Sequence, residues 1–195
     1  MTKEIIRSLK ALLFFSLLLG LLYPLVITMA ARSIFPAGAN GSLFTRNNQV
    51  AGSTLIGQSF REAGYFQTRP SAVDYNACAS GASNMGPTSK TLMDQVAERI
   101  RVYRNENDYF LGAIPPDAVL SSASGLDPHI SIENAFIQAK RIALARTIPL
   151  KEIHKILQNT TDDNFIGLWG GRGVNVLEAN IALDDFSPKE KERHQ

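Results

Sequence analysis

Ser124, Asp127 and His129 are the residues whose types most suggest chemistry, as a nucleophile, an orienting acid and a base for acyl transfer. Their spacing argues against it. A catalytic triad is assembled in space from separate elements, whereas these three crowd one turn segment, Ser121 to Ser131 (SSASGLDPHIS). Asp127-Pro128 is an ordinary turn opener, and Ser131 is placed to cap a following helix. The cluster is therefore expected to be a structural turn or a partner-contact surface. An extracytoplasmic hydrolase using Asp127 and His129 is the alternative.

Other candidates are weaker. Arg172 stands among Gly167, Gly170, Gly171 and Gly173 and could cradle an anion, but the Lys-Ser/Thr ending of a phosphate loop occurs nowhere. Trp169 beside those glycines reads as a packed cap. His154 falls mid-helix and reads as a partly buried surface residue, and His194 lies in the tail. Cys78 is the only cysteine, so an intrachain disulfide is impossible, and no Cys/His cluster has zinc spacing. No aspartate has a phosphorylation context. No catalytic, cofactor-binding or metal residue is assigned, and with no basic stripe there is no nucleic-acid partner.

What positions these residues begins with Ala11 to Ala31 (ALLFFSLLLGLLYPLVITMAA), 21 positions without a charge between Lys10 and Arg32. At 1.5 Å per residue such a helix spans about 31 Å, the thickness of a hydrocarbon core. A cleaved signal would carry a shorter apolar stretch of about 7–15 residues, and a soluble core helix would keep a polar stripe, so a retained transmembrane helix is expected. Gly20 and Pro24 are tolerated in spanning helices and are the candidates for packing against other membrane helices. Lys3, Arg7 and Lys10 against Glu4 place the N-terminus in the cytoplasm.

The expected organisation is a cytoplasmic tail at 1–10, the transmembrane helix at 11–31, a Pro/Gly linker at 32–40, an extracytoplasmic domain at 41–186 and a flexible tail at 187–195. From Ser33 onward 16 Lys and Arg meet 17 Asp and Glu, so the domain is nearly neutral.

Along that domain, Ser42 to Thr45 and Gln49 to Ile56 flank Asn47-Asn48 as a hairpin, with Gly52 and Gly57 marking a bulge or a close backbone approach. Gly64 to Pro87 is a long aperiodic loop whose aromatics argue for a functional, ordered segment. A helix is expected over Thr88 to Asn105, capped by Thr88, with Leu92, Val96, Ile100 and Tyr103 inward. Ala118-Val119-Leu120 reads as an edge strand. Ser131 caps a helix over Ile132 to Arg146 with Ile132, Phe136, Ala139 and Ala143 inward. Pro149 starts another to about Leu157, with Leu150, Ile153 and Leu157 inward, and Thr160 to Asp163 breaks it. Val174 to Val176 forms a last strand running into a helical turn over Leu177 to Asp185. The fold class is α+β: one N-terminal transmembrane helix, then one mixed domain of about three helices and a few short strands.

These loops carry a resemblance. Gly52 to Gln58 (GSTLIGQ), Tyr65-Phe66 with Arg69-Pro70-Ser71-Ala72, Ser80 to Asn84 with Gly86-Pro87, Ser124 to Ser131 (SGLDPHIS) and Val174 to Leu177 (VNVL) resemble the C subunit of the bacterial Kdp potassium-transporting ATPase. Ala82 and Met85 stand where glycine and leucine are expected, and Cys78 lies outside the pattern. The resemblance implies a non-catalytic accessory subunit of an ATP-driven potassium import pump in the bacterial inner membrane. Its implied partners are a channel-like potassium-binding subunit, a P-type ATPase subunit, a small membrane subunit and the lipid bilayer. ATP and potassium belong to the complex, with no cofactor bound by this chain alone. It also implies a catalytic chaperone that raises ATP affinity. Because the basic flank places the domain opposite cytoplasmic ATP, that effect is expected without direct nucleotide contact, and the domain is expected to dock over the potassium entrance. The expected partner contacts are Arg69, Pro70, Ser71, Ser83 and Asn84 of the long loop and Asp127 and His129 of the turn, both segments being polar and poorly explained by packing.

Overall fold

The computed structural model describes residues 2–46, 48–162 and 171–186. The chain divides between Ser53 and Thr54 into two compact units.

In the first unit, α1 (Thr2–Leu17), a π-helical turn (Leu18–Leu22) and α2 (Tyr23–Ile34) form one 33-residue helix long and apolar enough to cross a membrane. Helical turns therefore run on through most of the 1–10 tail. They also enter the 32–40 linker, where α2 ends at Ile34 and α3 (Pro36–Ala39) adds a single turn. Pro36 explains the break, because the residue before a proline is pushed out of the helical region, and Phe35 sits at φ −130°, ψ 64°. Gly41 and Ser42 then turn through positive φ into β1 (Leu43–Arg46), which pairs antiparallel with β2 (Gln49–Ser53). Asn48 takes φ +60°, as an Asx residue in a tight turn can. Phe44 pairs with Gly52 and Thr45 with Val50, which leaves Ala51 as the bulged residue beside the expected glycine. The second strand stops at Ser53, three residues short of Ile56. There the Ser53 hydroxyl donates to the Gly41 carbonyl at 2.7 Å and closes the hairpin onto its own entry turn.

The second unit starts with an extended segment and continues with α4 (Lys90–Glu106), α5 (Pro116–Val119), β3 (His129–Ile130), α6 (Ile132–Arg146), α7 (Leu150–Asn159), β4 (Thr161–Asp162), β5 (Gly173–Asn175) and α8 (Val176–Asp185). β5 lies between β3 and β4, antiparallel to both, with Val174 opposite Ile130 on one side and Thr161 on the other. The core gathers Phe66, Ile130, Ala139, Ile142, Ile153, Leu157, Val174, Val176 and Leu183 from the extended segment, the small sheet, α6, α7 and α8. This is the α+β arrangement expected.

Several local expectations shift. Ser89 rather than Thr88 caps α4, its hydroxyl accepting the Leu92 N–H at 3.4 Å. Of the expected inward face of α4 only Tyr103 is buried. Leu92, Val96 and Ile100 are half-covered. Residues 118–120 form no strand, because Pro116 supplies a preset first helical φ and Asp117 favours the positive N-terminus of α5. Phe136 and Leu150 are 39% and 38% exposed, not inward, and Phe136 instead stacks on His154 with ring centroids 4.7 Å apart. The α6 face that replaces them is partly polar: Asn134, Gln138 and Arg141 are buried beside Ala135, Ala139 and Ile142. Ser131 caps α6 as expected, accepting the Asn134 N–H at 3.1 Å.

α6 ends on Thr147 in the left-handed region at φ +56°, a conformation that costs a β-branched residue about 1 kcal/mol or more. Thr147 is exposed and its backbone N–H still closes on Ala143. Thr147→Gly is therefore expected to raise stability by about 0.5–1 kcal/mol in thermal melts of the detergent-solubilised chain. A loss of stability would refute that account.

Candidate functional site

The long loop and the 121–129 turn, distant in sequence, form one clasp. Arg69 Nη1 donates to Asp127 Oδ2 at 2.9 Å, with both side chains a little over a quarter exposed. Asp127 Oδ1 accepts the His129 backbone N–H at 3.0 Å. The Gly57 N–H donates to the Leu126 carbonyl at 2.8 Å. A Cβ on Gly57 would lie 2.6 Å from the Asp127 carbonyl oxygen, so this is the close backbone approach expected of it. The Ser71 hydroxyl donates to the Gly125 carbonyl at 2.7 Å and accepts the Val73 and Tyr75 N–H groups. Tyr75 OH donates to the Arg69 carbonyl at 2.9 Å, and the Gly81 N–H and Ser80 hydroxyl both donate to the Ser124 carbonyl. The Ser122 N–H donates to the Pro70 carbonyl at 3.3 Å.

Of the seven expected contact residues, the structure brings Arg69, Pro70, Ser71, Asp127 and His129 into this clasp. Ser83 is half-buried and Asn84 exposed at φ +53°, just beyond the Gly81 tie.

The same geometry disfavours the hydrolase. Ser124 Oγ accepts the Leu126 N–H of its own turn. Asp127 is occupied by Arg69 and by the His129 backbone, and the His129 ring nitrogen stands 3.8 Å from the carboxylate, beyond hydrogen-bond range. Gly171 and Arg172 of the glycine turn are exposed, while Gly167, Trp169 and Gly170 lie outside the described residues, as do Ser187 and His194. No group of three potential metal ligands occurs among the described residues.

Beneath the clasp lies a polar lattice that hydropathy could not show. Phe66 is fully buried in an extended segment that has no strand partner among the described residues, yet its N–H donates to Asn180 Oδ1 and its carbonyl accepts from Asn180 Nδ2. Gln138 makes the same pair of bonds with Gln67. Two side-chain amides thus replace a neighbouring strand. Arg141 donates to the Ala63 and Tyr65 carbonyls and to Gln138 Oε1. Arg146 donates to the Gly64 carbonyl and to Asp184, which also accepts from Tyr65 OH. Asp117 takes the Ser131 N–H and hydroxyl and the Asn134 amide. Asn175 caps α8 by accepting the Glu178 N–H and donates to the Thr54 carbonyl. The only sequence signal for this lattice is the helical spacing of Asn134, Gln138 and Arg141 at i, i+4 and i+7, which hydropathy assigns to solvent.

Burial raises Tyr103, Tyr65 and Tyr109 above the ordinary tyrosine value of 10.0, with Asp184 adding to the shift at Tyr65. Burial lowers Arg141. Above about pH 10 an unfolded tyrosine loses its proton while these keep theirs, so the unfolded state binds fewer protons and stability falls as pH rises. Melting temperature is expected to be flat from pH 8 to about 9.5 and to fall beyond it, with a shallower fall in Tyr103→Phe. An unchanged slope in that variant would refute the assignment.

A family model described as "KdpC: K+-transporting ATPase, c chain" matches residues 5–185. The potassium-transporting ATPase KdpC subunit of Mycobacterium bovis (strain BCG / Pasteur 1173P2) is 44% identical over 187 residues, covering 94% of this chain and 99% of that protein. The corresponding subunit of Polaromonas naphthalenivorans is 45% identical, covering 95% and 97%, and that of Cereibacter sphaeroides 48% identical, covering 91% and 94%. With matches that run from the apolar helix through α8, this chain belongs to the KdpC family of K+-transporting ATPase subunits.

Proposed function

We propose that this protein is a non-catalytic subunit of a potassium-importing P-type ATPase complex, held in the bacterial inner membrane by Thr2–Ile34 with its N-terminus cytoplasmic. The observation that carries this is the 33-residue apolar helix, 0% buried within the chain, in a member of a family named for a transport ATPase. The second unit works outside the cytoplasm. Its clasp, Arg69 to Ser71 with Asp127 and His129 and neighbouring Ser83 and Asn84, docks over the potassium entrance of the channel-like subunit, beside the ATPase subunit and the small membrane subunit. Any rise in ATP affinity at the ATPase subunit passes through the assembled complex, because the nucleotide lies across the membrane.

Cys78 provides the test: it is the sole cysteine and is exposed. When the chain is produced alone, a membrane-impermeant maleimide is expected to label Cys78 in intact spheroplasts as fully as in lysed ones. Labelling only after lysis would overturn the orientation. In the complex, Arg69→Ala is expected to lower co-purification with the other subunits.

A further inference from the structure

Leu21 is the midpoint of the 21-residue apolar stretch, and the helix is irregular there. Within the π turn Leu18–Leu22 the Tyr23 N–H donates to the Leu18 carbonyl, five residues back. The α-helix resumes with Leu22 at its N-cap, whose carbonyl accepts the first bond of α2. The carbonyls of Leu19, Gly20 and Leu21 lie between those two bonds. The nitrogens available to them are Pro24, which has no N–H, and Leu25. Three acceptors share one donor. In water the surplus would be hydrated, but in hydrocarbon an unsatisfied carbonyl is expensive and must find a partner.

The chain itself does not cover this point. Leu19, Leu21 and Leu22 are 59%, 56% and 55% exposed, and a Cβ on Gly20 would meet nothing within 4 Å. Glycine is a poor helix former, and nothing inside the chain requires its small size. It leaves the backbone open at the depth where carbonyls lack donors.

We infer that a transmembrane helix of another subunit crosses this one at Gly20 and donates a side-chain hydrogen bond, from a hydroxyl, amide or ammonium group, to the freed carbonyls at mid-bilayer. The inference rests on the anchored-subunit reading and specifies what its membrane partner must carry. A second copy of this chain fits less well, because parallel copies meet at like heights and residues 19–21 offer only Leu, Gly and Leu, without a side-chain donor.

The test uses the whole complex in native membranes, with a photo-crosslinking phenylalanine analogue placed at Leu19 or Leu21. The expected product joins this chain to one other membrane subunit. Adducts only to lipid or only to a second copy overturn the inference. Gly20→Leu, which keeps the helix but blocks the approach, is expected to lower co-purification at least tenfold, against less than twofold for Leu22→Phe on the far side. Pro24→Ala returns the missing N–H and is expected to weaken retention several-fold by competing with the partner's donor. Wild-type retention in Gly20→Leu removes the crossing, and wild-type retention in Pro24→Ala removes the hydrogen bond. A wild-type chain that fails to co-purify with any subunit overturns the anchored-subunit reading itself.

Discussion

An Asn180→Leu chain is expected to unfold about 10 °C below the wild type, for a loss of about 4 kcal/mol. Leucine keeps the branched outline of asparagine but is bulkier, so some overpacking beside α8 adds to the loss. Most of the loss comes from Phe66, whose N–H and carbonyl both bond Asn180 and whose residue is fully buried. Each orphaned group costs about 1–3 kcal/mol, because water cannot replace the amide there. Asn180→Asp should fall between the two, since a carboxylate can accept the Phe66 N–H but cannot donate to its carbonyl. Thermal melts of the full chain in detergent measure this directly. Equal melting of wild type and Asn180→Leu would mean that the amide lattice does not hold the extended segment.

The second large effect is expected at Gly125. Its φ of +69° lies in the left-handed region, and an added Cβ would stand 2.6 Å from Val73 Cγ2 and 2.7 Å from the Gly81 carbonyl oxygen. The Val73 methyl can rotate away, but the Gly81 carbonyl is backbone and can move only with the loop. Gly125→Ala should therefore cost about 2–4 kcal/mol, the sum of the left-handed penalty and the displaced loop. The Gly81–Ser124 and Ser71–Gly125 hydrogen bonds should loosen with it. If the clasp is the docking surface, assembly should suffer more than stability predicts, and co-purification should stay low at temperatures where the variant is still folded. Asn180→Leu provides the comparison, because it weakens the domain without touching the clasp. Similar assembly defects in two equally destabilised variants would leave the clasp with no special role.

The amino-acid sequence by itself determined the apolar helix of membrane-spanning length, the hairpin, the cap at Ser131 and the family. Each rests on short-range physics: an uncharged run of bilayer length, Asx residues in a turn, a polar cap before an apolar helix, and motifs in fixed order. It also singled out the 64–87 loop and the 121–129 turn, because both are rich in glycine and polar residues at positions that periodicity leaves unexplained. Only the tertiary structure decided that these segments are one object. Arg69 and Asp127 are separated by 58 positions, and nothing local encodes their pairing.

The buried polar face of α6 was equally illegible. Hydropathy sends Asn134, Gln138 and Arg141 to solvent and Phe136 inward, and it is wrong on all four. The extended backbone of residues 63–67 needs donors and acceptors, and Gln138 and Arg141 supply them, while Asn134 joins Asp117, Tyr103 and Gln138. The need arises from where residues 63–67 run, which is a property of the fold and not of any window of sequence.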